Sequence, residues 1–361
     1  MKLYKFLRED PIAFLLLAIP LALIAGALHW QSIWVFVFSA VGVIPLAHYI
    51  GEATESLAVY TGPRVGGLLN ATLGNAAELI ITIFAIRAGL LELVKASITG
   101  SILGNLLLVL GMSMVVGGVR NGIQSFDRKQ AGNNAILLAL AVVALLIPSL
   151  LSHYIGDEGS LEVEALSLGV AVVMMILYAL GLIFSFKLSV GPFMAPVEGV
   201  DQRHAHARWS IRSALFVLLG ATLGVAFLSE WLVGAVEPVI ASLGVSEFFL
   251  GVILIPLIGN VAEHLVAVQV AAQNKMDLSV EISVASSLQI ALFVAPVLVF
   301  LSLLLGNPLT LIFNQFELLA LITGVLIAAL VSADGESNWL EGSELLAVYV
   351  ILGLAFFLLP V

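Results

Sequence analysis

The sequence predicts an all-α integral membrane protein of eleven transmembrane helices: one extra N-terminal helix plus two inverted-topology five-helix repeats. Three observations predict this fold, namely an apolar composition, long apolar runs, and a motif that occurs twice. Of the 361 residues, 61% are hydrophobic and 11% are charged. A soluble domain has about 25% charged residues, so this chain has too few to cover a globular surface.

The apolar residues fall in runs long enough to cross a bilayer. A hydrocarbon core of about 30 Å takes about 20 helical residues. Breaking the chain at polar and turn-rich points leaves eleven segments, at 12–29, 33–60, 66–88, 94–119, 132–153, 163–187, 211–236, 245–272, 279–305, 312–332 and 345–360. The first continues without a small-residue cleavage site, so we interpret it as a retained span and not as a signal peptide.

The basic residues favour the same count independently. With the N-terminus in the cytoplasm, eleven spans place twelve of the fourteen Lys and Arg residues on the cytoplasmic side, and leave Arg87 and Lys95 outside. The C-terminus is then outside. The net charge of −10 argues against a nucleic-acid partner. The absence of cysteine excludes disulfides and thiolate metal sites.

An internal repeat divides the chain. Gly-Asn-Ala-Ala-Glu at 74–78 recurs 185 residues later as Gly-Asn-Val-Ala-Glu at 259–263. Because each copy spans five segments, an odd number, the second copy enters the membrane from the opposite side. Inverted repeats of this kind are typical of secondary transporters, which bind their substrate near the midplane. The predicted divisions are the extra helix at 1–31, the first repeat at 32–188, a cytoplasmic linker at 189–210 and the second repeat at 211–361.

Glu78 and Glu263 are the strongest candidates for chemistry. Each lies inside an apolar segment, where an ionised carboxylate costs at least ~2.5 kcal/mol. One such residue is often protonated or paired for structural reasons, but two in matching repeat positions favour a function. Asn75 precedes Glu78 by three residues and so shares its helix face, and Asn260 precedes Glu263 in the same way.

Gly74 and Gly259 begin the two motifs. Small residues allow close helix packing in membranes. A helix break there would also free backbone carbonyls to line a cavity, which is tolerated at that depth only where protein or water covers the backbone. The two interpretations are compatible, and we favour the break. A hard divalent cation takes about six to eight oxygen ligands, which carboxylates, carbonyls and waters could supply together.

The next segment of each repeat adds polar groups. Ser101 and Asn105 lie in segment 4, and Ser286 and Gln289 lie in segment 9. Serine is an ordinary residue of helix interfaces in membranes, whereas a buried amide needs hydrogen-bond partners. We predict that all four help to build the site.

Two further polar features have an open interpretation. His264 follows Glu263, where it could relay a proton or simply bond to a neighbouring helix. His48, Glu52 and Glu55 form a polar stripe on segment 2, which could line an aqueous access route or lie solvated near the cytoplasmic surface. We favour the access route. The acidic loops at 157–164 and 334–344 are expected to be solvated faces.

Five stretches resemble one known family. These are GEATESLA at 51–58, GNAAELI at 74–80, SILGNLLLVLG at 101–111, GNVAEH at 259–264 and SSLQIALFVAP at 286–296. They are similar to the calcium/proton antiporters of the calcium/cation exchanger superfamily, and the resemblance covers most of the chain. It implies a lipid bilayer as the surroundings, Ca²⁺ and protons as substrates, and no cofactor.

The resemblance also implies roles for individual residues. Glu78 and Glu263 would bind Ca²⁺ or protons. The residues that line, gate or flank the site would be Gly74, Asn75, Gly259, Asn260, Ser101, Asn105, Ser286 and Gln289. Eukaryotic members often carry a long regulatory N-terminus and a strongly acidic central stretch, whereas the linker here holds only Glu198 and Asp201 as acids. This departure suggests a prokaryotic plasma-membrane protein.

Other functions stay open at this point. Sodium/calcium exchange on the same fold would call for more oxygen ligands, whereas segments 4 and 9 carry Asn105 and Gln289 in place of further carboxylates. A passive channel or a cation-gated sensor is disfavoured by the inverted repeat. We do not expect an enzyme: no phosphate-binding Gly-rich loop is present, and no histidine lies at i+4 from either glutamate. The sequence leaves a homo-oligomer open.

Overall fold

A computed structural model of the chain describes residues 11–188 and 207–359. Most of the predicted linker at 189–210 lies outside the described residues, as do both chain ends. The helices of the first half are α1 (Pro11–Ala27), α2 (Ser32–Gly62), α3 (63–73), α4 (Ala76–Arg87), α5 (Leu91–Asn121), α6 (Arg128–Ile155) and α7 (Leu161–Leu188). Those of the second half are α8 (Ile211–Gly234), α9 (Val236–Leu243), α10 (Glu247–Gly259), α11 (Val261–Ala272), α12 (Met276–Leu305), α13 (Gln315–Val331) and α14 (Trp339–Phe357).

The lengths and composition of these helices confirm an all-α fold with many apolar spans. Among the described residues, seven helices are long and apolar enough to cross a membrane, or eight if the bent pair α9–α10 is one span. Helices α1 and α13 are shorter and also apolar. Helix length and composition therefore support seven or eight spans, and the predicted number of eleven stays a prediction.

Two predicted segments are each divided into two helices. Segment 66–88 is interrupted at Asn75, with φ −95° and ψ 19°, and segment 245–272 at Asn260, with φ −102° and ψ 5°. The break therefore falls on the asparagine and not on the preceding glycine, since Gly74 itself keeps helical dihedrals. A further difference is α9, which is too short to appear as an apolar run.

Gly62 separates α2 from α3. Its φ of +81° lies in the region that favours glycine, because a Cβ would clash with the backbone there. The chain therefore changes direction at the point where the sequence predicted a boundary between segments 2 and 3.

Within residues 11–188 and 207–359, three π-helical stretches interrupt the α-helices. They are Gly104–Val109 in α5, Leu250–Leu254 in α10 and Ile290–Val294 in α12. The first and third occupy nearly equivalent positions of the two repeats. A π-bulge re-aims the side chains beside it and is frequent at functional sites. Asn105 lies within the first stretch, and Gln289 directly precedes the third.

Helices from both halves share one core. α2 packs along α8, and α5 crosses α10. The α5–α10 crossing is close: a Cβ on Gly100 would meet the backbone carbonyl of Val252. Leu106 and Leu107 of α5 and Leu288 of α12 are fully buried in this core. The site described below lies within this shared core.

The loops of one end of the bundle contact one another. Strand β1 (Gln124–Ser125) pairs antiparallel with β2 (Glu336–Ser337). The Gln124 side-chain amide donates to the Ala271 carbonyl at 3.0 Å and to Asn274 Oδ1 at 2.9 Å. The connections after α5, α11 and α13 therefore meet at this end.

A second set of loops meets elsewhere. Lys95 Nζ lies 2.8 Å from Glu158 Oε1, which also accepts a 3.0 Å hydrogen bond from the Thr310 hydroxyl. The side-chain amide of Asn307 donates to the Ile86 carbonyl at 2.9 Å. These contacts join the connections after α4, α6 and α12. The acidic loop at 157–164 was expected to be a solvated face, and Glu158 is indeed exposed, but it also pairs with a buried lysine of α5.

Candidate cation-binding site

The two helix breaks place the glutamates on the first turns of new helices. Glu78 lies in the first turn of α4 and Glu263 in the first turn of α11. A helix N-terminus favours a negative charge through its exposed N–H groups. Helices α3 and α10 end just before the breaks, and the last carbonyls of a helix have no partners within it. Each break therefore brings a carboxylate and a set of backbone oxygens together.

The glutamates and glycines of the two motifs pack in a crossed arrangement. A Cβ added to Gly259 would lie 2.6 Å from Glu78 Cγ, and a Cβ added to Gly74 would lie 3.3 Å from Glu263 Oε1. Each glutamate therefore rests on the glycine of the other repeat. The glycines are needed for this close approach and not for an unusual backbone conformation.

Hydrogen bonds also run between the repeats. The Asn260 amide of the second repeat donates to Ser101 Oγ of the first at 3.3 Å, and Ser101 Oγ in turn donates to Glu78 Oε1 of its own repeat at 3.0 Å. The Asn75 amide donates to Gln289 Oε1 at 2.8 Å.

Within the second repeat, the Ser286 side chain lies beside the Glu263 carboxyl. This contact repeats the one between Ser101 and Glu78, as the repeat offset implies. The predicted residues that come together are thus Gly74, Asn75, Glu78, Ser101, Gly259, Asn260, Glu263, Ser286 and Gln289.

Several oxygen atoms of this group are buried and have no hydrogen-bond partner. They are Asn75 Oδ1, Glu78 Oε2 and Glu263 Oε2. A buried acceptor without a donor is costly, and oxygen is the ligand that hard cations prefer. Within the described chain, no group of three or more His, Asp or Glu side chains is placed to hold a metal. A cation here would therefore depend on two carboxylates and on neutral oxygens.

The comparison with known families decides the identity of the fold. The profile of the sodium/calcium exchanger protein family matches residues 31–187 and 213–358. The chain belongs to the sodium/calcium exchanger protein family. The two matched ranges flank the linker, so each covers one half of this exchanger-family chain.

Individual relatives cover nearly all of the chain. A Ca²⁺/H⁺ antiporter of Aphanothece halophytica is 47% identical, covering 98% of each chain. The Ca²⁺/H⁺ antiporter ChaA of Bacillus subtilis is 45% identical, covering 96% of this chain and 99% of its own. The solved structure of native YfkE is 43% identical with a TM-score of 0.84, covering 96% of this chain and all of its own. The H⁺/Ca²⁺ exchanger CAX shares the fold at a TM-score of 0.72 and 16% identity, covering 96% and 92% of the two chains.

Two predicted residues of this exchanger-family chain lie close to the site in sequence and keep an open side-chain atom. Asn105 is buried, and its amide nitrogen has no partner. His264 donates its backbone N–H to the Asn260 carbonyl at 3.0 Å, and its Nε2 is buried without a partner. The roles proposed for both stay predictions.

The predicted access residues lie beside the linker. His48 Nε2 is 3.4 Å from Glu52 Oε1, and Arg208 of the linker pairs with the same oxygen. Glu55 is exposed. The Tyr60 hydroxyl donates to the Trp209 carbonyl at 3.2 Å, which holds the same part of the linker against α2.

Sequence reasoning missed three buried charges. Lys95, Glu281 and Glu317 are 3%, 4% and 0% exposed. Each lies near the start of a predicted apolar segment. The signal was a single charge inside an apolar run, which is the same signal that identified Glu78 and Glu263.

Proposed function

We propose that this chain is a secondary transporter that exchanges Ca²⁺ for H⁺ across the membrane by alternating access. Glu78 and Glu263 bind Ca²⁺ or protons in competition. The observation that carries the proposal is the crossed pair of carboxylates, each resting on the other repeat's glycine. Relatives that are 47% and 45% identical over nearly the whole chain are named Ca²⁺/H⁺ antiporters, which supports transport and not an enzymatic activity.

The competition follows from the surroundings of the two carboxyls. Both carboxyls lie where the two motifs meet, each against the glycine of the other repeat. Burial and like charge both favour the neutral, protonated form of a carboxyl pair, whereas a divalent cation favours the ionised form. Binding Ca²⁺ therefore releases protons, and protons arriving from the other side release Ca²⁺.

Alternating access follows from the contribution of both repeats to one site. Asn75 of the first repeat bonds to Gln289 of the second, and Asn260 of the second bonds to Ser101 of the first. A movement of one repeat against the other changes these contacts together. The same movement would open the site to one side at a time, as in other inverted-repeat transporters.

The proposed topology has eleven spans, with the N-terminus in the cytoplasm and the C-terminus outside. Each interrupted pair, α3–α4 and α10–α11, counts as one span, and α1 and α13 count as two more. The loop contacts support this arrangement. The connections after α5, α11 and α13 lie on the cytoplasmic side in this topology and meet one another, and those after α4, α6 and α12 lie outside and meet one another. The bacterial relatives support a prokaryotic plasma membrane.

The access route is proposed to pass the stripe of His48, Glu52 and Glu55 on α2. Arg208, which pairs with Glu52, would then lie at its cytoplasmic entrance. His264 is proposed to take part in proton coupling. It directly follows Glu263 in the sequence, and its Nε2 is buried without a hydrogen-bond partner.

Sodium/calcium exchange is the alternative that the family name includes. The site favours coupling to protons over coupling to sodium, which would need more oxygen ligands. Gln289 is uncharged, and its side-chain oxygen already accepts a hydrogen bond from the Asn75 amide. A sudden change of pH should drive Ca²⁺ uptake into proteoliposomes, and a sodium gradient at constant pH should not. Uptake driven by sodium alone would contradict proton coupling.

The direct test replaces the carboxylates one at a time. Glu78→Gln and Glu263→Gln should each lower Ca²⁺ uptake under an imposed pH gradient by about 100-fold or more, because a charged ligand is removed. Glu237→Gln is the matched control, since Glu237 is an exposed glutamate that belongs to neither motif. Full transport by the Glu78→Gln protein would contradict the proposed role of Glu78 in binding Ca²⁺.

A further inference from the structure

Glu281 is a buried carboxyl that does not belong to the proposed exchange site. It lies in the first turns of α12, five residues before Ser286, and is 4% exposed. Its helix runs from the β1–β2 end of the bundle to the site. A carboxyl in this position is expensive to bury unless it is neutral or paired.

The partners of Glu281 do not neutralise a charge. The Gln130 side chain of α6 lies beside it, and the nearest charge that acts on it is that of Asp277, one turn earlier on the same helix face. Glu281 Oε1 is buried and has no hydrogen-bond partner. One amide and one like charge thus surround the carboxyl.

The other charged groups at this end lie nearer to water. Arg128 and Lys129 begin α6, Asp127 precedes them, and all three are exposed. Lys275 is partly exposed in the turn before α12. Asp277 is exposed, and its Oδ1 accepts a 2.6 Å hydrogen bond from the Asp127 backbone N–H. Glu281 therefore lies one helical turn below a solvated, mixed-charge surface.

The equivalent position of the first repeat shows that the fold does not require this carboxyl. There, 185 residues earlier, stands Ala96, and the neighbouring buried charge is Lys95. The Lys95 ammonium lies 2.5 Å from Glu92 and 2.8 Å from Glu158. The buried charge of the first repeat thus has two opposite charges, whereas Glu281 has a like charge and an open oxygen.

We propose that Glu281 is a third proton-binding carboxyl, which exchanges its proton with the cytoplasmic side and sets the transport rate from that side. Protonation forms an O–H bond on the carboxyl with a proton taken from cytoplasmic water, and deprotonation returns it. The ionised form adds a second negative charge beside Asp277, at the place where α12 packs against α6. The control of transport rests on the proposed exchange function, but proton binding by Glu281 does not.

Infrared difference spectroscopy of the purified full chain tests proton binding directly. Titration between pH 5 and pH 10 should show a protonated carboxyl C=O band that is absent in Glu281→Gln and present in the control Glu237→Gln. Glutamine keeps the size and the hydrogen-bonding capacity of the side chain, so a purely structural role would survive this substitution. A spectrum of Glu281→Gln that matches the wild type at every pH would overturn the proposal.

Transport in oriented proteoliposomes tests the control. With the outer pH fixed, the Ca²⁺ flux of the wild type should vary with the pH on the cytoplasmic side. In Glu281→Gln this pH dependence should be weaker by the contribution of one titrating proton, which is at most about tenfold per pH unit. The KM for Ca²⁺ should change by less than about twofold, because the site itself is intact. An unchanged pH profile would overturn the regulatory role.

Failure of the exchange function itself would look different. The wild type would then transport no Ca²⁺ against a pH gradient, while the infrared band of Glu281 would still titrate. Glu281→Leu separates stability from titration: it removes the polar contact with Gln130 and should lower the unfolding temperature, whereas Glu281→Gln should keep that temperature. Equal destabilisation by both variants would show that the carboxyl serves packing alone and would overturn the proposal.

Discussion

At the scale of single residues, the site depends on missing side chains as much as on charged ones. Glu78 and Glu263 reach their positions because Gly259 and Gly74 leave room for them. The open oxygens of both carboxylates then lie in a buried space without donors. A change at either glycine should therefore act on the cation and not on the fold as a whole.

We expect Gly259→Ala to weaken Ca²⁺ binding by about 10- to 100-fold, as changes beside metal ligands typically do. The added Cβ would lie 2.6 Å from Glu78 Cγ and must displace that side chain. Calcium titration of the purified protein measures the effect. Gly132→Ala is the control, because nothing lies within 4 Å of a Cβ at that position. Equal affinities for the two variants would contradict the crossed packing.

The residues that the sequence could and could not predict differ in one respect. Glu78, Glu263 and their asparagines were identified because the same short motif occurs twice. The bond between Asn75 and Gln289 joins residues 214 positions apart, and no local pattern records which amide meets which. Glu281 was missed because the search followed the repeated motif, and the equivalent position of the first repeat holds Ala96.

At the scale of helices, interruptions matter more than lengths. The breaks at Asn75 and Asn260 create helix ends inside the bundle, and the π-helical stretches beside Asn105 and Gln289 re-aim neighbouring side chains. The sequence predicted breaks from the two glycines but not the π-helical stretches. These stretches are apolar on nearly every side, so a shift of the helical register leaves no trace in the apolar pattern.

The ion pair between α5 and the loop after α6 should contribute to stability in a pH-dependent way. Burial raises the pKa of the Glu158 carboxyl, but the Lys95 ammonium and the Thr310 hydroxyl together outweigh it and hold that pKa below its usual range. A lowered pKa stabilises the folded state above the usual pKa of glutamate, and this contribution is lost as the pH falls through the lowered value.

Glu158→Gln should therefore lower the unfolding temperature at pH 7 and have a smaller effect near pH 4. The difference at pH 7 should correspond to less than about 1 kcal/mol, since half of the Glu158 side chain is exposed and solvent screens the pair. Thermal unfolding in detergent measures it, with Glu162→Gln as the control because Glu162 is exposed nearby. A difference in unfolding temperature between Glu158→Gln and the wild type that increased towards acid pH would contradict this prediction.

At the scale of the whole molecule, the two sets of loop contacts define the two ends of the bundle. The distribution of Lys and Arg predicted which connections share a side, and the contacts group them in the same way. The sequence could not predict the β1–β2 pairing, because two-residue strands carry no pattern of their own.

Labelling of single cysteines should assign the two ends to the two sides of the membrane. The chain has no cysteine of its own, so each introduced thiol reports without background. Asp334→Cys should react with an impermeant maleimide only from the cytoplasmic side, and Asp157→Cys only from the outside. Both positions are exposed, so lack of access cannot explain a negative result. Labelling of both from one side would contradict the eleven-span topology.

The crossed packing of glutamate on glycine also bears on how such a chain can arise. Exchanging the two repeats turns the contact between Glu78 and Gly259 into the contact between Glu263 and Gly74. Two identical five-helix chains related by a two-fold axis would form both contacts from one motif. A duplicated and fused gene therefore inherits a complete pair of contacts at once. Afterwards, each half restricts which mutations the other half can accept.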